Sequence, residues 1–170
     1  GLELIEHCPD LATVLVPLSG GGLISGVALA VKAMSPRIRV IGVSMARGAA
    51  MAASLDSGKP VTVEELDTLA DSLGGGIGLS NRYTLGIVRE LVDEVILLSE
   101  REIAEGIVHA SEVEGEVLEG AGAVGIAAIL SGKFRPSGPT ALVLSGCNIA
   151  PETHAAVIAR LIGRPCVAGV

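Results

Sequence analysis

The sequence predicts an α/β fold: an open, mostly parallel twisted sheet with helices on both faces. Three observations predict it. Apolar, β-prone runs alternate along the chain with stretches of helical character. The runs are continuously apolar, as strands covered on both faces require. Three of the turns leading into or out of these elements carry glycines, at Ser19-Gly20-Gly21-Gly22, Gly120-Ala121-Gly122 and Ser145-Gly146. An open sheet of this kind binds its ligand outside the carboxyl ends of its strands, where such turns lie.

The elements follow in order. A short helical lead-in covers Leu2 to His7. Ala12 to Leu18 is the first strand, and it stops at the glycine run. Leu23 to Ala33 is helical, and Pro36 ends it. Arg37 to Val43 is the second strand and Ala46 to Leu55 a helix, closed by the turn Ser57-Gly58-Lys59-Pro60. A polar, glycine-rich stretch runs from Asp67 to Asn81, then a helix near Arg82 to Val92 and a strand over Glu94 to Leu98. The next helix opens at Ser99, and Glu102 three residues on completes a capping box. Val117-Leu118-Glu119 reads as a very short strand, Gly120 to Leu130 as a helix of small residues, and Thr140 to Leu144 as the last strand. A final helix spans Pro151 to Ile162, and the tail 163–170 is expected to be loose.

The chain has 170 residues, enough for one domain, and 49% of them are hydrophobic, enough for a core. Aromatic residues make up only 1%, so that core must be aliphatic. The net charge of -7, without a basic stripe or stacking platform, excludes a nucleic-acid binder. Apolar stretches are broken before the ~18–20 residues a membrane span needs, so no membrane association is expected. Cys8, Cys147 and Cys166 form no CxxC pair and read as reduced thiols, which predicts a soluble, cytoplasmic protein.

Ser19-Gly20-Gly21-Gly22-Leu23 is the sharpest motif. Consecutive glycines between a strand and a helix let backbone N–H groups converge on an anion, and the helix dipole adds to the field. A plain tight turn would need one or two glycines. No lysine follows at the spacing of a nucleotide-triphosphate loop. Gly120-x-Gly122-x-x-Gly125 matches a dinucleotide fingerprint, but the following strand ends in Ser145 with no acid for a ribose hydroxyl. The first loop is Gly20-x-Gly22-x-x-Ser25, and its next strand ends in Ser44. An NAD(P)-dependent oxidoreductase is therefore the weaker alternative.

The order of motifs resembles that of the fold-type II pyridoxal-phosphate (PLP) enzymes, in the branch of threonine dehydratases, serine dehydratases and serine racemases. The residues that carry the resemblance are Val16 to Leu23, Leu69-Ala70-Asp71-Ser72-Leu73-Gly74, Val117 to Gly125 and Leu144-Ser145-Gly146-Cys147-Asn148. Val43 to Met51 and Ala70 to Gly78 look most like the hydroxyectoine-utilization dehydratase subgroup. Threonine dehydratases at large usually show Ala-Asp-Gly where this chain has Ala70-Asp71-Ser72.

The resemblance implies roles. Ser19, Gly20, Gly21, Gly22 and Leu23 would cradle the phosphate of PLP, with Ser19 standing where relatives usually have a fourth glycine. Ser72 would belong to the same cofactor site. Ser145 would hydrogen-bond the pyridine nitrogen, and a hydroxyl there leaves the ring a weaker electron sink than a carboxylate would. Glu119 is either a carboxylate beside the cofactor or an acid favoured by the helix dipole. Asp71 either lines the site or stabilises a turn, the commoner use of Asp beside glycines, and Asn148 either orients the cofactor loop or caps the last helix, the commoner job. His7, His109 and His154 read as surface or helix residues.

Two departures matter. The branch's divalent cation is held by acids after the second strand, and Ser44 to Ala50 contains no carboxylate, so no metal site is expected. The Schiff-base lysine lies well before the phosphate loop in relatives. Lys32, Lys59 and Lys133 have none of its context and read as solvated side chains. The expectation is a single unit, 1–170, forming the C-terminal part of the cofactor-binding large domain, with the small substrate domain absent and no catalytic residue in the chain. The intact enzyme would act on threonine, serine or a related hydroxy amino acid, as a homodimer or higher oligomer, while this chain alone is predicted to be inactive. A non-catalytic module that binds a phosphorylated ligand or a partner chain is the alternative from a different class.

Overall fold

Val14, Leu15 and Val16 are fully buried, although a strand points successive side chains to opposite faces. Both faces of the first strand are therefore covered. The computed structural model describes residues 1–162. Its elements are α1 (Leu2–His7), β1 (Thr13–Pro17), α2 (Gly22–Met34), β2 (Arg39–Met45), α3 (Ala50–Ser57), α4 (Thr84–Leu91), β3 (Glu94–Leu98), α5 (Glu100–His109), α6 (Gly120–Leu130), β4 (Thr140–Leu142) and α7 (Pro151–Ile162). The tail 163–170, including Cys166, lies outside the described residues.

The four strands form one open sheet in the order β3-β2-β1-β4, and every pair is parallel. Thr13 pairs with Arg39 on one side and with Thr140 on the other. Alternating strand residues feed two cores. Val14, Val16 and Val40 join Leu18, Ile24, Val31, Met51 and Val88 on the face covered by α2, α3 and α4. Leu15, Ile41, Val43, Ile96 and Leu98 join Ile103, Ile107, Val124 and Val157 on the face covered by α5, α6 and α7.

α6 is the central helix of the second face, with every residue from Gly120 to Ala128 buried. Its small residues let α5 approach closely. A Cβ on Gly106 would lie 2.8 Å from the Ala123 carbonyl oxygen and 2.9 Å from the Ala127 Cβ. Beyond α5 the chain continues through a π-helical turn, Ala110–Glu114, which Gly115 ends in the left-handed conformation.

Several boundaries differ from the sequence expectation. Ala46 to Ala49 is a loop and α3 begins at Ala50, because Gly48 takes a φ of +73° that interrupts a helix there. β4 ends at Leu142, and Val117 to Glu119 forms no strand. Lys32 is not a solvated side chain. Its Nζ donates to the Ile38 carbonyl at 2.8 Å and to Asp93 Oδ2 at 2.7 Å, and that same oxygen accepts from the Val40 N–H at 2.7 Å. The long stem lies along the protein while the ammonium closes the N-terminal ends of β2 and β3. Lys133 is likewise engaged, with the Leu97 carbonyl and Glu102.

The capping box at Ser99 is present. The Ser99 Oγ accepts from the Glu102 N–H, and Glu102 Oε2 accepts from the Ser99 N–H at 2.6 Å. Desolvation pushes the Glu102 carboxyl upward, but the Lys133 ammonium and the two Ser99 donors outweigh it and hold the group below the usual carboxylate range. Ser99→Ala should lower stability by about 1 kcal/mol in urea denaturation. A depressed folded-state value gives stability that is present above the ordinary carboxylate range and lost as pH falls through the folded value. Glu102→Ala should therefore flatten the acid limb of the stability curve, which urea midpoints measured across that range will show.

Candidate cofactor cleft

β1 is hydrogen-bonded to β2 on one side and to β4 on the other, and the chain reaches β4 only after β2 and β3 are complete. The connections leaving β1 and β4 therefore diverge, and a crevice opens at the carboxyl ends of these two strands. Ser19 to Leu23 follows β1 into α2, and Ser145 follows β4. The third wall comes from a 3₁₀ turn, Asp71–Leu73, and from Glu119 at the start of α6.

These segments enclose a cleft of about 230 Å³. Ser19, Gly20, Gly21, Gly22, Leu23, Ser72, Glu119 and Ser145, the eight residues assigned from sequence, all line it. Pro17, Leu73 and Ala121 line it as well and were not anticipated. Leu73 could have been suspected as a large apolar residue between Ser72 and the glycines 74–76. Pro17 ends the strand and Ala121 follows the helix cap, so neither carried a chemical signal.

The glycine loop has the properties of an anion nest. Among the described residues, the backbone N–H groups of Ser19 to Leu23 donate to no protein acceptor, and the first helical bond of α2 runs from Ser25 to Gly21. No acid sits in the first turn of α2, so no carboxylate of the helix itself competes with an incoming anion for its positive end. Gly21 takes a φ of +88°, and a Cβ there would meet the Met51 methyl at 2.7 Å. Gly20 and Gly22 are different, because a Cβ at either would meet nothing within 4 Å. Packing does not demand those two glycines; close approach by a ligand would. The Ser19 Oγ reaches the Gly74 carbonyl at 3.4 Å and ties the loop to the polar stretch.

Glu119 occupies the N-cap of α6, yet its side chain makes no cap hydrogen bond. The carboxylate turns away from its own helix, and its Oε1 accepts from the Ser72 Oγ at 3.3 Å. The residue is 9% exposed and packs against Gly146. Both sequence readings of Glu119 thus describe the same geometry, an acid at a helix start whose carboxylate lines the cleft. Asp71 Oδ1 accepts from the Ser72 N–H at 2.8 Å, holding the turn that carries Ser72. Asn148 does not cap α7, which starts at Pro151 and leaves Ala150 in the cap position, accepting from the His154 N–H.

The dinucleotide-like glycines are explained by packing. A Cβ on Gly120 would lie 2.5 Å from the Leu69 carbonyl carbon and 2.9 Å from the Ala70 nitrogen, and one on Gly122 would lie 3.1 Å from the Gly146 nitrogen. α6 begins in direct backbone contact with the two segments flanking the cleft. Two other hollows lie elsewhere. One of about 560 Å³ is over α4 beside Arg82 and Tyr83, and one of about 310 Å³ is beside Arg47, Glu65, Asp67 and Asp71. Neither contains the glycine nest. Among the described residues no group of three His, Cys, Asp or Glu side chains is placed to hold a metal ion, and no helix is long and apolar enough to cross a membrane.

These two glycine classes give opposite expectations. Gly120→Ala should cost roughly 1–3 kcal/mol through backbone displacement, read as a lower urea midpoint. Gly20→Ala should leave the midpoint within about 0.5 kcal/mol, while weakening phosphate-ester binding in an equilibrium titration.

Comparison with known proteins agrees with this geometry. Residues 1–146 match the family described as "Pyridoxal-phosphate dependent enzyme". The chain is 58% identical over 159 residues to a protein of Sinorhizobium fredii that carries a provisional threonine dehydratase name, covering 93% of this chain and 48% of that one. It is 44% identical over 161 residues to an L-threonine ammonia-lyase of Geobacter sulfurreducens, covering 94% and 40%. The structure of maize serine racemase superposes with a TM-score of 0.81 at 36% identity, covering 95% of this chain and 50% of the other. The processed threonine deaminase isoform 2 of Solanum lycopersicum gives 0.82 at 30% identity, covering 96% and 45%. The chain spans about half the length of the curated relatives it matches. It belongs to the fold-type II pyridoxal-phosphate dependent enzymes, in their threonine dehydratase branch.

Proposed function

We propose that this chain is the phosphate- and ring-holding part of a PLP-dependent lyase that removes the β-hydroxyl of threonine, serine or a related hydroxy amino acid, giving a 2-oxo acid and ammonia. The observation that carries the reading is the row of unpartnered N–H groups from Ser19 to Leu23, set across a 230 Å³ cleft from Ser145. PLP, when bound, supplies an electron sink for the charge that develops at the substrate's α-carbon. The loop amides and the start of α2 would hold its phosphate. The Ser145 hydroxyl, free of protein partners among the described residues, is available to the ring nitrogen. Glu119 places a carboxylate on the wall nearest Ser72.

In this reading the whole enzyme works in the cytoplasm as a homodimer or larger assembly, and residues 1–170 form the C-terminal part of its large domain. The covalent lysine comes from a different segment of the protein. Lys32 and Lys133 are engaged with backbone carbonyls and acids, and none of Lys32, Lys59 and Lys133 lines the cleft. Without that lysine the chain lacks the base that takes the α-proton.

Borohydride reduction of the full-length PLP-loaded protein, followed by peptide mass spectrometry, tests this. The cofactor should be trapped on a lysine outside these 170 residues, and the full-length protein should release ammonia from L-threonine or L-serine. The isolated chain should show saturable PLP binding, no trapped cofactor and no turnover. Trapping on Lys32, Lys59 or Lys133 would refute the lysine assignment, and absence of PLP binding would refute the site.

A further inference from the structure

We propose that Ser72 is a positioning residue for Glu119, fixing its carboxylate so that one oxygen is presented to a hydrogen-bond donor of the ligand in the cleft. This rests on the reading of the cleft as a lyase site and adds a specific division of labour within it.

The Glu119 carboxylate is confined but not satisfied. Oε1 accepts from the Ser72 hydroxyl at 3.3 Å and lies against the Gly146 backbone. Among the described residues Oε2 accepts from no protein group, and it is not among the sealed polar atoms that lack a partner. It therefore keeps some access to solvent, and Glu119 is among the residues that line the cleft. No Lys or Arg pairs with Glu119 among the described residues, so the Ser72 hydroxyl is its side-chain donor. A carboxylate withdrawn from water is costly unless it is hydrogen-bonded, so the free oxygen favours a ligand that brings a donor. An α-amino acid with a β-hydroxyl brings two kinds, its nitrogen and its hydroxyl.

Ser72 is itself held for this task. Its N–H donates to Asp71 Oδ1 at 2.8 Å, and the Gly74 N–H donates to the Asp71 carbonyl at 2.8 Å, so the turn is closed on both sides. The Ser72 Oγ has two acceptors in reach, Glu119 Oε1 at 3.3 Å and Asp71 Oδ1 at 3.5 Å, and one proton to give. The shorter contact crosses the cleft wall between segments 47 residues apart in sequence. A glycine at position 72 would leave Glu119 without this donor.

The test uses the full-length PLP-loaded protein carrying ¹³C-labelled glutamate, with Ser72→Ala and Ser72→Thr variants. Isotope-edited difference infrared spectra should show one displaced glutamate carboxylate stretch in Ser72→Ala and none in Ser72→Thr, which keeps a hydroxyl. kcat/KM for L-threonine should fall roughly tenfold to a hundredfold in Ser72→Ala and recover in Ser72→Thr. An unchanged glutamate band in Ser72→Ala would overturn the proposal, as would equal loss of activity in both variants. A displaced band in a protein that turns over no hydroxy amino acid would uphold the Ser72–Glu119 pairing and refute the lyase reading instead.

Discussion

The parallel pairing of β4 with β1 is the constraint on which the site depends. Thr13, Val14 and Leu15 register with Thr140, Ala141 and Leu142, so two segments some 125 residues apart end side by side. β1 delivers the glycine loop and β4 delivers Ser145 to the same edge of the sheet. Because β2 occupies the other side of β1, the chain must leave β1 and β4 in opposite directions, and the cleft lies between them among the described residues. The crevice is thus a consequence of strand order, present before any ligand chemistry is considered.

The same pairing explains why α6 begins as it does. Once Ser145-Gly146 is fixed beside β1, the helix that covers this face must start against the Gly146 backbone and against Leu69 and Ala70. Only glycine permits contact that close at 120 and 122. The approach brings Glu119, immediately before the helix, into reach of Ser72. A packing requirement in the core therefore sets the position of a carboxylate in the cleft. The electrostatics follow from the same arrangement: among the described residues no cationic side chain lines the cleft, so an anion there would be held by backbone dipoles and the start of α2. Such donors carry no net charge, which limits competition with the nearby Glu119.

Much of the fold was legible because its signals are local. Continuous apolar runs identified the four strands, Ser99 with Glu102 marked a helix start, and glycine-bearing turns marked the end of the sheet where the cleft lies. What was not legible depends on contacts distant in sequence. The short β4 has only β1 as a neighbour, so its pairing stops at Leu142 although the apolar run continues to Leu144. Lys32 looked like a surface lysine because its partners, Ile38 and Asp93, are brought to it by β2 and β3. The loop from Ala46 to Ala49 has the composition of a helix, and only the left-handed Gly48 breaks it.

The fingerprint at Gly120, Gly122 and Gly125 shows why glycine patterns need a structural referee. On the sequence alone a glycine required for ligand approach and a glycine required for backbone packing are the same letter. The structure separates them by what a Cβ would meet. At Gly20 and Gly22 it would meet open space on the cleft side; at Gly120 and Gly122 it would meet another segment's main chain. Packing therefore leaves the first pair unexplained and fixes the second. A glycine that the free fold does not need is the stronger pointer to a bound molecule, and both such positions on the cleft lie in the Ser19–Leu23 loop, whose N–H groups are unspent among the described residues.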